Sequence, residues 1–144
     1  MKCFRIVFVF VIIFGLISCT QEKKDNKNEI KDELSLLDVK IRQEPKNADL
    51  YYARAKVLLD NGNLKESLLD IQTAIDINKK EVRYYIRKAD ILFTSGETSL
   101  AFDALQEALK VNPKSSEVHL KIAEFALLLK DYDKTMFNVN EALK

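Results

Sequence analysis

The feature that most constrains this chain is a step of 34 residues. Ala55, Ala89 and Ala123 stand 34 apart, and Ala74, Ala108 and Ala142 keep the same step. Gly62 and Gly96 are one step apart, and Pro45 and Pro113 are two. Self-similarity at a period of roughly 20–50 residues means one supersecondary unit stacked on copies of itself. Such a unit cannot bury its apolar face alone, so its neighbours must cover it. The product is an extended surface, better suited to holding other molecules than to chemistry.

Composition narrows the classes. The chain has 144 residues, 47% of them hydrophobic, enough for one modest core. Its 23 basic residues meet 22 acidic ones. That balance leaves no basic excess for nucleic acid and no acidic solvating tail. With three Gly, two Pro and no Trp, and with Leu, Ala, Lys and Glu throughout, the composition favours helix over strand.

The first segment has the layout of a secretory signal. Lys2 and Arg5 precede an uncharged apolar run from Ile6 to Ile17. The run is short for a spanning helix, which needs about 20 apolar residues. It ends in Leu16-Ile17-Ser18-Cys19, which resembles the lipobox of bacterial lipoproteins. The resemblance implies a signal peptide over residues 1–18, cut before Cys19, and a diacylglyceryl thioether on the Cys19 sulfur. Cys3 would leave with the signal, so no intrachain disulfide could form. Fatty chains at about 0.8 kcal/mol per buried CH₂ would hold the protein on a membrane. In that family an Asp straight after the Cys marks retention at the inner membrane. Thr20 stands there instead, which implies the outer membrane of the bacterial cell envelope.

Residues 20–28 carry no apolar side chain and read as a flexible tether. At about 3.3 Å per residue the tether would reach roughly 30 Å. Over Glu29 to Glu44 the residues Ile30, Leu34, Leu37 and Ile41 form one helical stripe, and Pro45 ends it. The 34-residue units then run Ala48–Glu81, Val82–Ser115 and Ser116–Lys144. Each holds two helices joined near Gly62, Gly96 or Lys130. Glycine suits the left-handed residue that ends a helix, and Asn63 and Asp131 suit the N-caps that follow. Lys130 in the glycine place should cost about 1 kcal/mol. The repeated alanines mark where the paired helices approach most closely.

Catalytic chemistry finds little purchase. His119 is the one histidine of the chain, and it falls at an aromatic packing position. There is no P-loop, no G-x-G-x-x-G and no H-E-x-x-H. The acidic residues, Asp70 and Asp76 or Glu97 and Asp103 among them, read as solvated helix surface. Neither a cofactor nor a metal is expected, and the chain reads as non-enzymatic.

The units resemble tetratricopeptide repeats. An aromatic ring or imidazole comes early in the first helix (Tyr51, Tyr85, His119), and a small residue follows four later (Ala55, Ala89, Ala123). Glycine opens the turn at 62 and 96. Small residues recur at Ser67, Ala101 and Thr135, then at Ala74, Ala108 and Ala142, and Pro45 and Pro113 close the pattern. The match covers roughly residues 45–144. Departures are Arg54 and Lys88 where Leu is usual, Lys79 for Pro and Lys130 for Gly.

The resemblance implies an all-α solenoid of about seven helices after the signal peptide, three repeats behind an N-terminal cap helix over 29–44. It also implies a concave groove lined by the first helices. The groove positions are Tyr52, Lys56 and Leu59 in unit one, and Arg83, Ile86, Arg87, Asp90 and Phe93 in unit two. Unit three supplies Leu120, Lys121, Glu124 and Leu127. An apolar floor with mixed charges suits an extended peptide or amphipathic helix from a partner protein. Some family members clamp a C-terminal carboxylate, but Tyr52, Lys56 and Glu117 replace the Lys, Asn and Lys of that clamp. The run Leu127-Leu128-Leu129, with Phe137, leaves the C-terminal edge open to self-association. The expected role is a non-catalytic, membrane-tethered protein that assembles or recruits others in the cell envelope. The alternative is an accessory ligand- or carbohydrate-binding surface lipoprotein. That role would ask for exposed Trp or Tyr platforms, and the groove offers Tyr52 alone.

Overall fold

The computed structural model of the chain describes residues 30–144, and all of its regular structure is α-helical. The signal-like run, Cys19 and the tether lie outside the described residues. The chain divides into two units, Met1–Val39 and Lys40–Lys144. Helix α1 covers residues 30–43. Along it Ile30, Leu34, Leu37 and Ile41 are the less exposed positions, while Leu36 and Val39 face solvent.

The unit from Lys40 onward holds six further helices in three pairs: α2 (Ala48–Asp60) with α3 (Leu64–Ile77), α4 (Val82–Thr94) with α5 (Thr98–Val111), and α6 (Ser116–Leu128) with α7 (Tyr132–Ala142). With α1 this makes seven helices among the described residues, and the six paired ones form a solenoid as the repeat implied. Each pair also touches the next, α3 against α4 and α5 against α6.

The alanine step has the mechanical meaning that close packing requires. Ala55, Ala74, Ala89 and Ala108 are all fully buried. Ser67, at the small position of α3, is fully buried too, and its hydroxyl donates to the Ala55 carbonyl at 2.6 Å. A buried hydroxyl needs such an acceptor. Around this seam lie Ile71, Ile75, Ile91, Leu92, Leu105, Ile122 and Phe125, one continuous core through the pairs.

The three turns within the pairs share one geometry. Gly62, Gly96 and Lys130 take φ of 77°, 86° and 60°. In each case the next residue's N–H reaches back to the helix, from Asn63 to Leu58, Glu97 to Leu92 and Asp131 to Ala126. That bond and its neighbour satisfy carbonyls that the ending helix leaves open. The capping expectation holds for Asp131, whose carboxylate accepts from the Lys134 N–H at 3.1 Å. It fails for Asn63, whose side chain makes no capping bond. The turns between pairs are held by Asn78 and Asn112, also 34 apart. Each accepts an N–H two residues on.

The early aromatic position is anchored in the same way in two units. The hydroxyls of Tyr51 and Tyr85 donate to the carbonyls of Pro45 and Lys79, each six residues earlier. His119 lacks that hydroxyl and instead meets Asn138 Oδ1 through Nδ1 at 3.0 Å.

A second sequence expectation is overturned. Asp70 is 7% exposed, not solvated, and pairs with Arg54 through two bonds of 2.7 Å. Arg54 stands where the repeat usually has Leu, so its guanidinium enters the seam between α2 and α3. A charge placed there must find a counter-charge.

Candidate interaction face

The first helices of the pairs approach one another, α2 touching α4 and α4 touching α6. The second helices α3, α5 and α7 do not. A stack closer on one side curves toward that side, so α2, α4 and α6 line its inner face.

On α2, Tyr52 and Lys56 are one helical turn apart. Tyr52 is half-buried, with its ring 5.4 Å from that of Tyr84. The guanidinium groups of Arg83 and Arg87 lie over the Tyr52 ring at 5.1 and 5.7 Å, within cation–π range. Arg83 also reaches back to Asp49 on α2 at 2.6 Å. Asp49 accepts a second bond from the Tyr84 hydroxyl, and burial followed by this bond pushes the Tyr84 pKa up to about 12. Asp49 and Arg83 thus tie unit one to unit two across the face.

Asp90 ties unit two to unit three. Its carboxylate meets Lys121 on α6 at 3.2 Å and Arg87 at 3.5 Å. Lys121 also bonds Glu124 at 2.7 Å and sits 5.6 Å from the Phe125 ring centroid. Burial works against the Lys121 ammonium, but the Glu124 bond and the nearby Asp90 outweigh it and raise the pKa. Phe93 stacks on Phe125 at 4.0 Å, closing the floor between α4 and α6.

The structure therefore links many of the groove positions read from the sequence and sorts them by role. Ile86, at 6% exposure, and half-buried Leu59 and Phe93 back the face from within. Leu120, Glu124 and Leu127 stand out into solvent. Lys56 is exposed and has no ion-pair partner among the described residues. Arg87 is incompletely satisfied although part-buried. Its Nε is buried without a hydrogen-bond acceptor, and its contact with Asp90 is long for a hydrogen bond. The face can offer hydrogen bonds to acidic groups near Lys56 and Arg87, and apolar contact along Tyr52, Leu120 and Leu127.

No group of three or more His, Cys, Asp or Glu among the described residues could hold a metal ion. No helix among them is long and apolar enough to cross a membrane.

Sequence reasoning missed the Arg54–Asp70 pair. The signal was available: Arg54 departs from the usual Leu, and Asp70 stands where the later units have Ala104 and Asn138. Lys88 and Gln72 repeat the same 16-residue separation, with a hydrogen bond of 3.0 Å.

Two tetratricopeptide-repeat profiles match the sequence, at residues 48–81 and 86–134, together more than half of the chain. No curated protein matches the sequence. Among solved structures, a crystal structure of MamA shares 17% identity at a TM-score of 0.67, covering 84% of this chain and 71% of that one. MamA from Desulfovibrio magneticus RS-1, residue 41 to its end, shares 14% at a TM-score of 0.69, covering 82% and 67%. Yeast Tom70 shares 20% at a TM-score of 0.72, covering 76% of this chain and 23% of its own. At these identities the likeness is one of fold.

Proposed function

The chain is a tetratricopeptide-repeat protein, and from that premise we propose that it is a non-catalytic platform for protein–protein interaction. Its guest is an extended peptide or amphipathic helix of mixed charge, held on the inner face of α2, α4 and α6. The single observation that carries this reading is Arg87. A guanidinium with a buried, acceptor-less Nε sits mid-face beside the Tyr52 ring. The Nε itself is closed to a guest, but the side chain keeps 21% exposure and its ion pair with Asp90 is long at 3.5 Å, so a guest carboxylate at the terminal nitrogens would complete its pairing.

The test is a pull-down from detergent-solubilised envelopes with the full chain and its Arg87→Glu variant. Stable co-purifying proteins that the variant loses support the reading. An unchanged set of proteins overturns it. An empty pull-down with carbohydrate binding intact would instead favour the accessory carbohydrate-binding role.

The platform is held at the bacterial envelope, at the outer membrane, through a lipid on Cys19. The lipobox-like Leu16-Ile17-Ser18-Cys19 supports this. Cys19→Ala should abolish lipidation and change both the mass of the product and its partition into the membrane fraction. Retention with no change in mass would sink the anchor.

The α6–α7 edge supports self-association. Leu127, Leu128, Met136 and Phe137 are exposed there. Sedimentation should show an assembly that Phe137→Lys dissolves, and a monomer at all concentrations would rule it out.

A further inference from the structure

A second surface lies away from the inner face. Where α3 and α5 fail to touch, they leave a cleft of about 550 Å³ floored by α4. Four leucines supply most of its apolar lining. Leu69 on α3 is 65% exposed and Leu100 on α5 is 50% exposed, with Leu68 and Leu92 deeper in. At about 100° per residue, Leu92 lies on the side of α4 roughly opposite Asp90 and Arg83. The cleft and the inner face are therefore separate.

The repeat supplies its own control. One step later, Leu68 and Leu100 correspond to Phe102 and Lys134. There the Lys134 ammonium lies 3.9 Å from the Phe102 ring centroid, bridging α5 to α7. The same place is spanned by a cation–π contact in one junction and lined by leucines in the other.

The charges at the cleft give it a sign. Asp103 and Glu107 stand one turn apart on the α5 wall, and neither has an ion-pair partner among the described residues. The one cation lining the cleft, Lys88, donates to Gln72 at 3.0 Å. The wall is thus acidic beside an apolar trough.

We propose that this cleft docks a short amphipathic helix of a partner protein, one that presents leucine-type side chains to the trough and Lys or Arg to Asp103 and Glu107. A helix laid between two helices over a third repeats the packing that builds the stack, ridge into groove. The inference does not depend on what the inner face binds.

The probe is a labelled peptide about four helical turns long, made of Leu, Lys and Ala with leucines along one face, titrated into the full chain by fluorescence anisotropy. Saturable binding is expected, weakened about tenfold or more by Leu69→Lys and by Leu100→Lys. Both side chains are half-exposed or more, so the fold should tolerate the changes, and circular dichroism checks this. Lys114→Glu, at an exposed turn residue that lines neither the cleft nor the inner face, should leave binding unchanged. A matched peptide with Glu for Lys should bind about tenfold more weakly, with the difference shrinking as salt rises. Absence of saturable binding overturns the proposal, as does indifference to Leu69→Lys, equal loss with Lys114→Glu, or equal binding of the Glu peptide. A dimer of the chain alone that Leu69→Lys dissolves also overturns it, since the occupant would then be a second copy.

Discussion

Tyr84 shows how much one side chain contributes here. It is 1% exposed, and its hydroxyl donates to Asp49 across a unit boundary. Burial, then that bond, raise its pKa from 10.0 to about 12. The folded state therefore holds the proton more tightly than the unfolded chain does. The stabilisation is whole below pH 10 and is lost as pH rises toward 12, by about 2–3 kcal/mol. Urea midpoints measured below and above that window should fall further in the wild type than in Tyr84→Phe; parallel slopes would refute the assignment. Other residues resist reading in isolation. Nothing about Asp70 alone separates it from a solvated acid. Only the helix-to-helix geometry that brings Arg54 to 2.7 Å does so.

At the scale of the element, the turns carry the test. Gly62 and Gly96 pass through left-handed backbone with open space around a would-be Cβ, so strain alone opposes a side chain there. Lys130 already bears that strain at φ 60°. Lys130→Gly should raise stability by about 1 kcal/mol, read as a shift in the urea midpoint with unchanged slope. No gain would mean that the α6–α7 turn is held by contacts of the lysine itself. Helix positions were legible because alanine, glycine and proline recur in one register. The failed Asn63 cap marks the limit. A residue type suited to a role fills it only if the local backbone aims the side chain at the free N–H.

For the whole molecule, the stack stands on nearest-neighbour contacts. Phe125 is 3% exposed and meets both Phe93 and Phe102 at the junction of units two and three. Phe125→Ala should cost about 3–5 kcal/mol, and two probes of unfolding, one on α3 and one on α7, should report it equally. Loss confined to α7 would mean that the pairs unfold separately. The sequence by itself determined the repeat, the helix pairing, the left-handed turns and the set of residues on the first helices, because period and residue size are local properties of a chain. Only the tertiary structure decided how those residues share the work. It sank Ile86 into the core, left Arg87 short of an acceptor, gave Asp70 to Arg54 and opened a leucine-lined cleft between α3 and α5. Each of these depends on distances between helices, and a 34-residue step does not encode which neighbour a side chain will meet.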